Sequence, residues 1–198
     1  MTAATDYYDQ HADKFFEQYR SLGAAEVLKD VLHAIPTAPS LVLDVASGSG
    51  RDSEYLASLG HTVVSVEPAK VLRDKAVSLG QGPRILQFDS SLPFLEGLEL
   101  FDGGFDFILC AAAWMHLSPL ERGEAACRLH ALLKKGGRAA VTYKVAPPEP
   151  ERAMFAIHAE QVEEDFRLAG FLRFETRENV DLLGRGDTRW FSSVFHKD

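Results

Sequence analysis

Residues 41–53, LVLDVASGSGRDS, predict a strand, a tight turn and a helix in immediate succession. The apolar run 41–43 leads into Asp44, a turn of small residues follows as far as Gly50, and the pattern becomes helical from Arg51. Residues without bulk at Cβ let the backbone approach a ligand closely, and the first N–H groups of a helix carry partial positive charge. The segment therefore predicts a site for a dinucleotide or for a nucleoside that carries an amino acid.

Size and charge favour one soluble domain with a small ligand. The chain has 198 residues, 46% of them hydrophobic, which is enough for one substantial core. Its formal net charge is −8 without a lysine or arginine run, so nucleic acid is disfavoured as a substrate. Two cysteines supply neither a disulfide framework nor a metal-ligand spacing, and no metal is predicted. Without a signal peptide or a stretch of ~18 apolar residues to span a membrane, the chain is expected to be cytoplasmic.

Strands and helices alternate in the predicted secondary structure. Two helices, 7–19 and 24–33, precede the first strand, and 134–137 (KKGG) reads as a helix stop signal. A turn at 185–187 separates the last two strands. The other predicted helices are 51–58, 70–79, 118–134 and 158–169, and the strands are 41–45, 62–66, 84–88, 105–110, 138–144, 172–177 and 189–196.

The sequence of this turn also distinguishes between two classes of nucleoside-binding domain. A nicotinamide-binding domain has G-x-G-x-x-G after its first strand, whereas Ser53 occupies the last of these positions here. The alternation of Asp44, Ala46, Gly48 and Gly50 resembles the first motif of the class I S-adenosylmethionine-dependent methyltransferases, which usually have glycine where this chain has alanine. It is similar to small bacterial members of the methyltransferase-11/25 type and to tellurite or thiol methyltransferases.

This resemblance implies a Rossmann-like α/β fold and a cofactor. The sheet would have seven mainly parallel strands in the order 3-2-1-4-5-7-6, with the last strand antiparallel and helices on both faces. Within a single domain, 1–198, residues 1–38 would form a helical cap, 39–145 the cofactor-binding core and 146–198 a C-terminal helix and strand pair. The cofactor would be S-adenosyl-L-methionine, converted to S-adenosyl-L-homocysteine.

Acidic residues at the ends of successive strands are prominent candidates for cofactor binding. Glu67 ends the second strand, where a carboxylate can accept both hydroxyls of an unphosphorylated ribose. By the resemblance, Asp89 would accept from the adenine amino group and the Ser90 N–H would bind a ring nitrogen, although an aspartate there is also typical of a turn. The cofactor-binding candidates are Tyr8, Tyr19, Asp44, Ala46, Ser47, Gly48, Gly50, Arg51, Glu67, Pro68, Asp89, Ser90, Ala111 and Met115.

Several of these candidates have competing structural roles. Arg51 can pair with the cofactor carboxylate or be a solvent-exposed helix start. Tyr8 and Tyr19 can cover the bound cofactor or pack their helix on the sheet. The carbonyl near Ala111 would receive the cofactor's amino group, and Met115 would lie near the mouth of the active site.

Methyl transfer from a sulfonium depends mainly on positioning and desolvation, so a dedicated catalytic residue is not required. For an oxygen or nitrogen acceptor that needs a base, His116 is the first candidate and Tyr143 the second, but a histidine at this position also serves to pack or cap the next helix. The expected function is methyl transfer to a small molecule by a monomer or homodimer. The alternatives are a methyltransferase acting on tRNA or protein, a non-catalytic adenosyl-ligand-binding protein and an NAD-dependent reductase.

Overall fold

A seven-stranded sheet forms the centre of the fold in a computed structural model that describes residues 3–184 and 188–198. The turn predicted at 185–187 lies outside the described residues. The strands are β1 (Leu41–Val45), β2 (Thr62–Val66), β3 (Ile85–Phe88), β4 (Phe105–Ala111), β5 (Leu133–Val145), β6 (Arg173–Asn179) and β7 (Arg189–His196). Their order is β3-β2-β1-β4-β5-β7-β6, and β7 runs antiparallel to both neighbours while the other pairs are parallel. The predicted order and the antiparallel last strand are confirmed.

Helices cover both faces of this sheet. In β1, successive side chains point to opposite faces: Val42 belongs to the same buried cluster as Leu56, and Leu43 belongs to the cluster that contains Leu129 and Phe166. All five of these side chains are fully buried. The α-helices are α1 (Ala3–Gln10), α2 (Ala12–Arg20), α3 (Ala24–Val27), α4 (Arg51–Ser58), α5 (Lys70–Ser78), α6 (Pro119–Leu132) and α7 (Ala159–Leu168), and 3₁₀ turns occur at Leu32–Ala34, Glu99–Phe101, Trp114–His116 and Pro150–Arg152.

The N-terminal helices are shorter than predicted. The helix expected at 7–19 is interrupted at His11, whose Nδ1 bonds the Tyr7 carbonyl at 2.9 Å and whose ring stacks on the Tyr7 ring. The helix expected at 24–33 ends at Val27, and the chain then turns so that Leu28 and Val31 become buried. Local side-chain bonding and tertiary burial therefore override the helical pattern.

The boundary between α6 and β5 is also corrected. The KKGG run does not extend and stop the helix, because β5 begins directly after α6 and includes this run. The Gly136 N–H donates to the Lys197 carbonyl at 2.7 Å, and the Lys197 N–H donates to the Gly137 carbonyl at 3.0 Å. Lys197 Nζ also donates to the His130 and Leu133 carbonyls at the end of the helix. The C-terminal residues thus supply the helix cap that the sequence attributed to the glycines.

Two further features are absent from the part of the chain that the structure describes. No three histidine, cysteine, aspartate or glutamate side chains lie together in a group that could hold a metal ion. No helix is long and apolar enough to cross a membrane, since even α6 has only 14 residues.

Candidate functional site

A cavity of about 750 Å³ lies at the carboxyl ends of β1, β2 and β4, the edge at which open parallel sheets bind ligands. Helices α1 and α2 line it on one side, and the 149–155 and 179–183 segments line it on another. The predicted site residues that line the cavity are Tyr8, Tyr19, Ala46, Ser47, Gly48, Arg51, Glu67, Pro68, Ser90, Ala111, Met115 and His116. Those outside its lining are Asp44, Gly50, Asp89 and Tyr143.

Glu67 combines burial with direct access to the cavity. The residue is 5% exposed, and its two carboxylate oxygens accept from the Gly48 N–H at 2.8 Å and the Ala69 N–H at 2.7 Å. Burial raises the pKa of Glu67 to about 7, against the opposing effect of these two hydrogen bonds. The glycine turn and the end of β2 are therefore joined through this carboxylate.

Asp44 lies beneath the turn and not in the cavity wall. Its carboxylate accepts from the Ser53 hydroxyl at 2.6 Å, and that hydroxyl is 2.9 Å from Ser65 Oγ. Ser65 Oγ in turn lies 2.9 Å from Ser47 Oγ, which does line the cavity. Burial, with the charge of Asp52, raises the pKa of Asp44 to about 8. Asp44 thus acts on the cavity through a buried network that fixes the start of α4.

Left-handed backbone conformations mark the cavity wall. Gly50 has φ +76°, a conformation that favours glycine, and a Cβ there would lie only 3.1 Å from the Ala76 Cβ. Ala46 has φ +57° although it carries a side chain, which explains why glycine would be the usual residue at that point of the motif. Ala112 and Ala153 are also left-handed and line the same cavity. Such strained positions cluster at functional sites.

Arg51 is held by its own neighbours at the start of α4. Its Nε and Nη2 donate to the two carboxylate oxygens of Asp52, both at 2.8 Å, and its Nη1 donates to the Tyr19 carbonyl at 3.0 Å. Both charged residues line the cavity, although the sequence pointed only to the arginine. The pair ties α2 to α4 and places a cation and an anion side by side at the helix N-terminus.

Asp89 points away from the cavity. Its side chain is 70% exposed and pairs with Arg73, at 2.9 Å between Oδ2 and Nη2. Arg73 Nη1 also donates to the Glu67 carbonyl, so this arginine joins the ends of β2 and β3. The next residue, Ser90, lines the cavity with a buried hydroxyl that has no hydrogen-bond partner among the described residues. The structure therefore offers Ser90, not the Asp89 carboxylate, as the polar group at this strand end.

His116 and Tyr8 form a hydrogen-bonded pair across the cavity. The Nδ1 of His116 donates to the Arg152 carbonyl at 3.1 Å, which leaves Nε2 to accept from the Tyr8 hydroxyl at 3.2 Å. Tyr8 Oη also accepts from Arg152 Nη2 at 2.9 Å. Burial, with the positive charges of Arg152 and Lys144, lowers the pKa of His116 to about 4. At neutral pH the imidazole is uncharged and able to accept a proton.

We expect His116 to remain neutral to well below the ordinary histidine range. In a pH titration followed by NMR of the imidazole nitrogens, its midpoint should fall near 4, whereas an exposed histidine should titrate near ~6.5. Comparison with His116→Gln assigns the signal. A midpoint near 6.5 would show that the ring is solvated and does not hold the bonds to Tyr8 and Arg152.

Comparison with known proteins agrees with this architecture. Residues 42–137 match the family model described as a methyltransferase domain. This segment belongs to the methyltransferase domain family. An uncharacterised methyltransferase of Geobacillus sp. strain WCH70 is 34% identical over 134 residues, which are 67% of this chain and 60% of the relative. The chain thus spans about 60% of the length of that curated relative.

Solved structures share the fold of this chain. The Burkholderia thailandensis 1,6-didemethyltoxoflavin-N1-methyltransferase, with bound 1,6-didemethyltoxoflavin and S-adenosylhomocysteine, has a TM-score of 0.77 at 21% identity over 99% of this chain and 88% of that one. The Haemonchus contortus phosphoethanolamine N-methyltransferase 2, in complex with phosphomonomethylethanolamine and S-adenosylhomocysteine, has a TM-score of 0.77 at 15% identity over 100% of this chain and 60% of that one. At these identities the likeness shows the fold alone.

Tyr143 lies inside the core of the domain and not in the cavity. Its side chain is fully buried, its hydroxyl is 3.2 Å from Ser193 Oγ, and its ring stacks on Phe191. Burial raises the pKa of Tyr143 to about 12. This candidate base therefore lies on β5 against β7, where its hydroxyl bonds Ser193 and its ring packs on Phe191.

A charged cluster in the cavity was not identified from the sequence. Lys144 and Arg152 both form ion pairs with Glu149, and all three residues line the cavity. Lys144 lies at the end of a strand whose preceding residues, 139–143, are uncharged. A lysine at the end of such a strand was the sequence feature that could have indicated this cluster. The other two residues lie in a proline-containing loop that reads as solvent-exposed.

Proposed function

We propose that the protein is a methyltransferase that binds S-adenosylmethionine in this cavity and transfers the methyl group to a small molecule by in-line displacement. The observation that carries the proposal is the Glu67 carboxylate at the end of β2, beside the glycine turn. Each of its oxygens accepts one backbone N–H and keeps a lone pair. Those lone pairs suit the two hydroxyls of a ribose, and a 2′-phosphate would be repelled.

The remaining residues of the wall fit this cofactor. The unpartnered Ser90 hydroxyl and the side chain of Leu92 suit a base, and the Arg51–Asp52 pair beside the turn suits the charged amino acid end. A volume of about 750 Å³ lies within the range of ~300–1,000 Å³ that is typical of small-molecule sites. When bound, the cofactor would supply an electrophilic methyl group on a sulfonium.

The charge of the cavity wall supports a small acceptor over a nucleic acid. A surface that grips a phosphate backbone is basic, whereas acidic side chains outnumber basic ones here. The basic residues of the wall are Lys14, Lys29, Arg51, Lys144 and Arg152, and the acidic ones are Glu26, Asp30, Asp52, Glu67, Glu121, Glu149 and Asp181.

Tyr8 and His116 provide a route for a proton from an oxygen or nitrogen acceptor. The Tyr8 hydroxyl proton would pass to His116 Nε2 as the phenol oxygen takes the proton of the acceptor. Arg152 Nη2, which donates to the same phenol oxygen, stabilises negative charge developing there. A sulfur nucleophile that is already ionised would need neither group.

Isothermal titration tests the cofactor directly. Protein stripped of bound ligand is titrated with S-adenosylmethionine, S-adenosylhomocysteine and NADH, and we expect micromolar binding of both adenosyl ligands and no binding of NADH. NADH binding without adenosyl binding would favour the reductase alternative. Small thiols, amines and acids are then screened by mass spectrometry for products that are heavier by one CH₂ group (~14 Da). Such a product would distinguish a catalyst from a protein that only binds the ligand.

A further inference from the structure

A pair of cations faces the cavity at its β5 side. The side chain of Lys144, at the end of β5, is only 6% exposed, and that of Arg152 is 19% exposed. Glu149 joins them through one carboxylate, with its Oε2 3.0 Å from Arg152 Nη1 and its Oε1 bonded to Lys144 Nζ. The three side chains therefore carry two positive charges and one negative charge in a largely buried place.

Both cations keep donors that no described residue satisfies. The Nε of Arg152 is buried without a hydrogen-bond partner, while its other two nitrogens bond Glu149 and Tyr8. Lys144 Nζ has three N–H donors, and Glu149 is its one bonded partner among the described residues. A buried cation with unsatisfied donors is costly unless an anion completes it.

The loop that carries Arg152 is built to hold it in place. Glu149 and Met154 exchange backbone hydrogen bonds at 3.2 and 3.0 Å, and Ala153 between them is left-handed. The Phe155 N–H donates to the Met115 carbonyl at 2.9 Å, which fastens the loop to the segment after β4. The guanidinium is therefore positioned before any ligand arrives.

This cluster is separate from the region assigned to the cofactor. Glu67 ends β2 and Lys144 ends β5, and β1 and β4 lie between them in the sheet. Three strand spacings of ~4.8 Å place the two strands roughly 14 Å apart. His116 and Tyr8, the proton route, lie next to the cluster.

We propose that Lys144 and Arg152 form a subsite for an anionic group of the methyl acceptor, a carboxylate or a phosphate. The inference rests on the proposed function, because it takes the acceptor to enter this cavity beside the cofactor. The anion accepts from Lys144 Nζ, beside the Arg152 guanidinium, and so neutralises the excess positive charge. The anion also offsets part of the positive electrostatic field of Lys144 and Arg152, which keeps His116 neutral. The pKa of this imidazole therefore rises when the acceptor is bound, and it becomes a stronger base.

The test compares aromatic probes that differ in charge, and benzoate and benzamide also share the same shape. Protein saturated with S-adenosylhomocysteine is titrated with benzoate, phenyl phosphate and the neutral benzamide at constant ionic strength, and the NMR titration midpoint of His116 is followed. We expect at least one anion to bind about tenfold more tightly than benzamide and to raise the pKa of His116, and benzamide to leave it unchanged. Benzoate and phenyl phosphate distinguish a carboxylate from a phosphate site.

Lys144→Met keeps the length of the side chain and removes the charge, and Lys135→Met is a matched change at an exposed position of the same strand. The preference for the anion should be lost in the first variant and kept in the second, with S-adenosylhomocysteine affinity unchanged in both. Equal binding of benzamide, or an anion preference that survives Lys144→Met, would overturn the subsite. Weaker cofactor binding by Lys144→Met would instead assign the lysine to the cofactor. Failure of wild-type protein to bind S-adenosylhomocysteine would count against the proposed function itself.

Discussion

Replacement of Glu67 by glutamine is expected to weaken the binding of S-adenosylhomocysteine by about 2 kcal/mol, roughly 30-fold. Both carboxylate oxygens accept backbone N–H groups, from Gly48 and Ala69. An amide offers only one oxygen, so its NH₂ group would face one of these donors and leave it unsatisfied. The ribose hydroxyls would lose an acceptor at the same time. Isothermal titration of stripped protein measures the change.

Asp89→Asn is the matched comparison, since it makes the same chemical change at the end of the neighbouring strand. The Asp89 carboxylate is exposed and pairs with Arg73 outside the cavity, so we expect a loss below about 0.5 kcal/mol. Equal losses in both variants would mean that Asp89 turns inward to bind adenine, as the sequence resemblance implies. Wild-type affinity in Glu67→Gln would show that the ribose lies elsewhere.

The sheet was predictable because its strands are short apolar runs between clear turn signals. The buried strand β4 and the glycine turn after β1 need little context to recognise, and the strand order followed from the resemblance. The helix boundaries depended on distant residues. Lys197 caps α6 from the far end of the chain, and the helix expected at 24–33 ends at Val27, where the chain turns to bury Leu28 and Val31 in the core. No local pattern contains that information.

The residues of the candidate site were predictable only where a motif fixes both the position of a residue in the fold and the direction in which its side chain points. Glu67 and the glycine turn follow strand ends and do line the cavity. Asp89 also follows a strand end, but Arg73, from the preceding helix, draws its carboxylate outward. Arg152 reaches the cavity because the loop after β5 folds back and bonds to itself, which depends on backbone conformations such as that of Ala153. The spacing of residues along the sequence does not show that this loop folds back towards the cavity.

Asp44 is expected to make the ligand-free protein less stable as the pH rises. Its pKa is about 8 in the fold, because burial and the charge of Asp52 disfavour ionisation, and near its ordinary value of 3.8 when unfolded. Between these values the folded state binds more protons than the unfolded state. The free energy of unfolding therefore falls throughout this range, by on the order of 3 kcal/mol between pH 5 and pH 8. Glu67, with a pKa of about 7, acts in the same direction.

Asp44→Asn isolates this contribution, since the amide can still accept from Ser53 but does not ionise. We expect the wild-type Tm to fall by about 6 to 12 °C more than that of the variant between pH 5 and pH 8, measured by circular dichroism. Asp74→Asn, an exposed carboxylate paired with Lys70, should keep the wild-type slope. Parallel curves for wild type and Asp44→Asn would mean that Asp44 is ionised in the fold. In that case its negative charge, and not a protonated link to Ser53, would act on the turn above it.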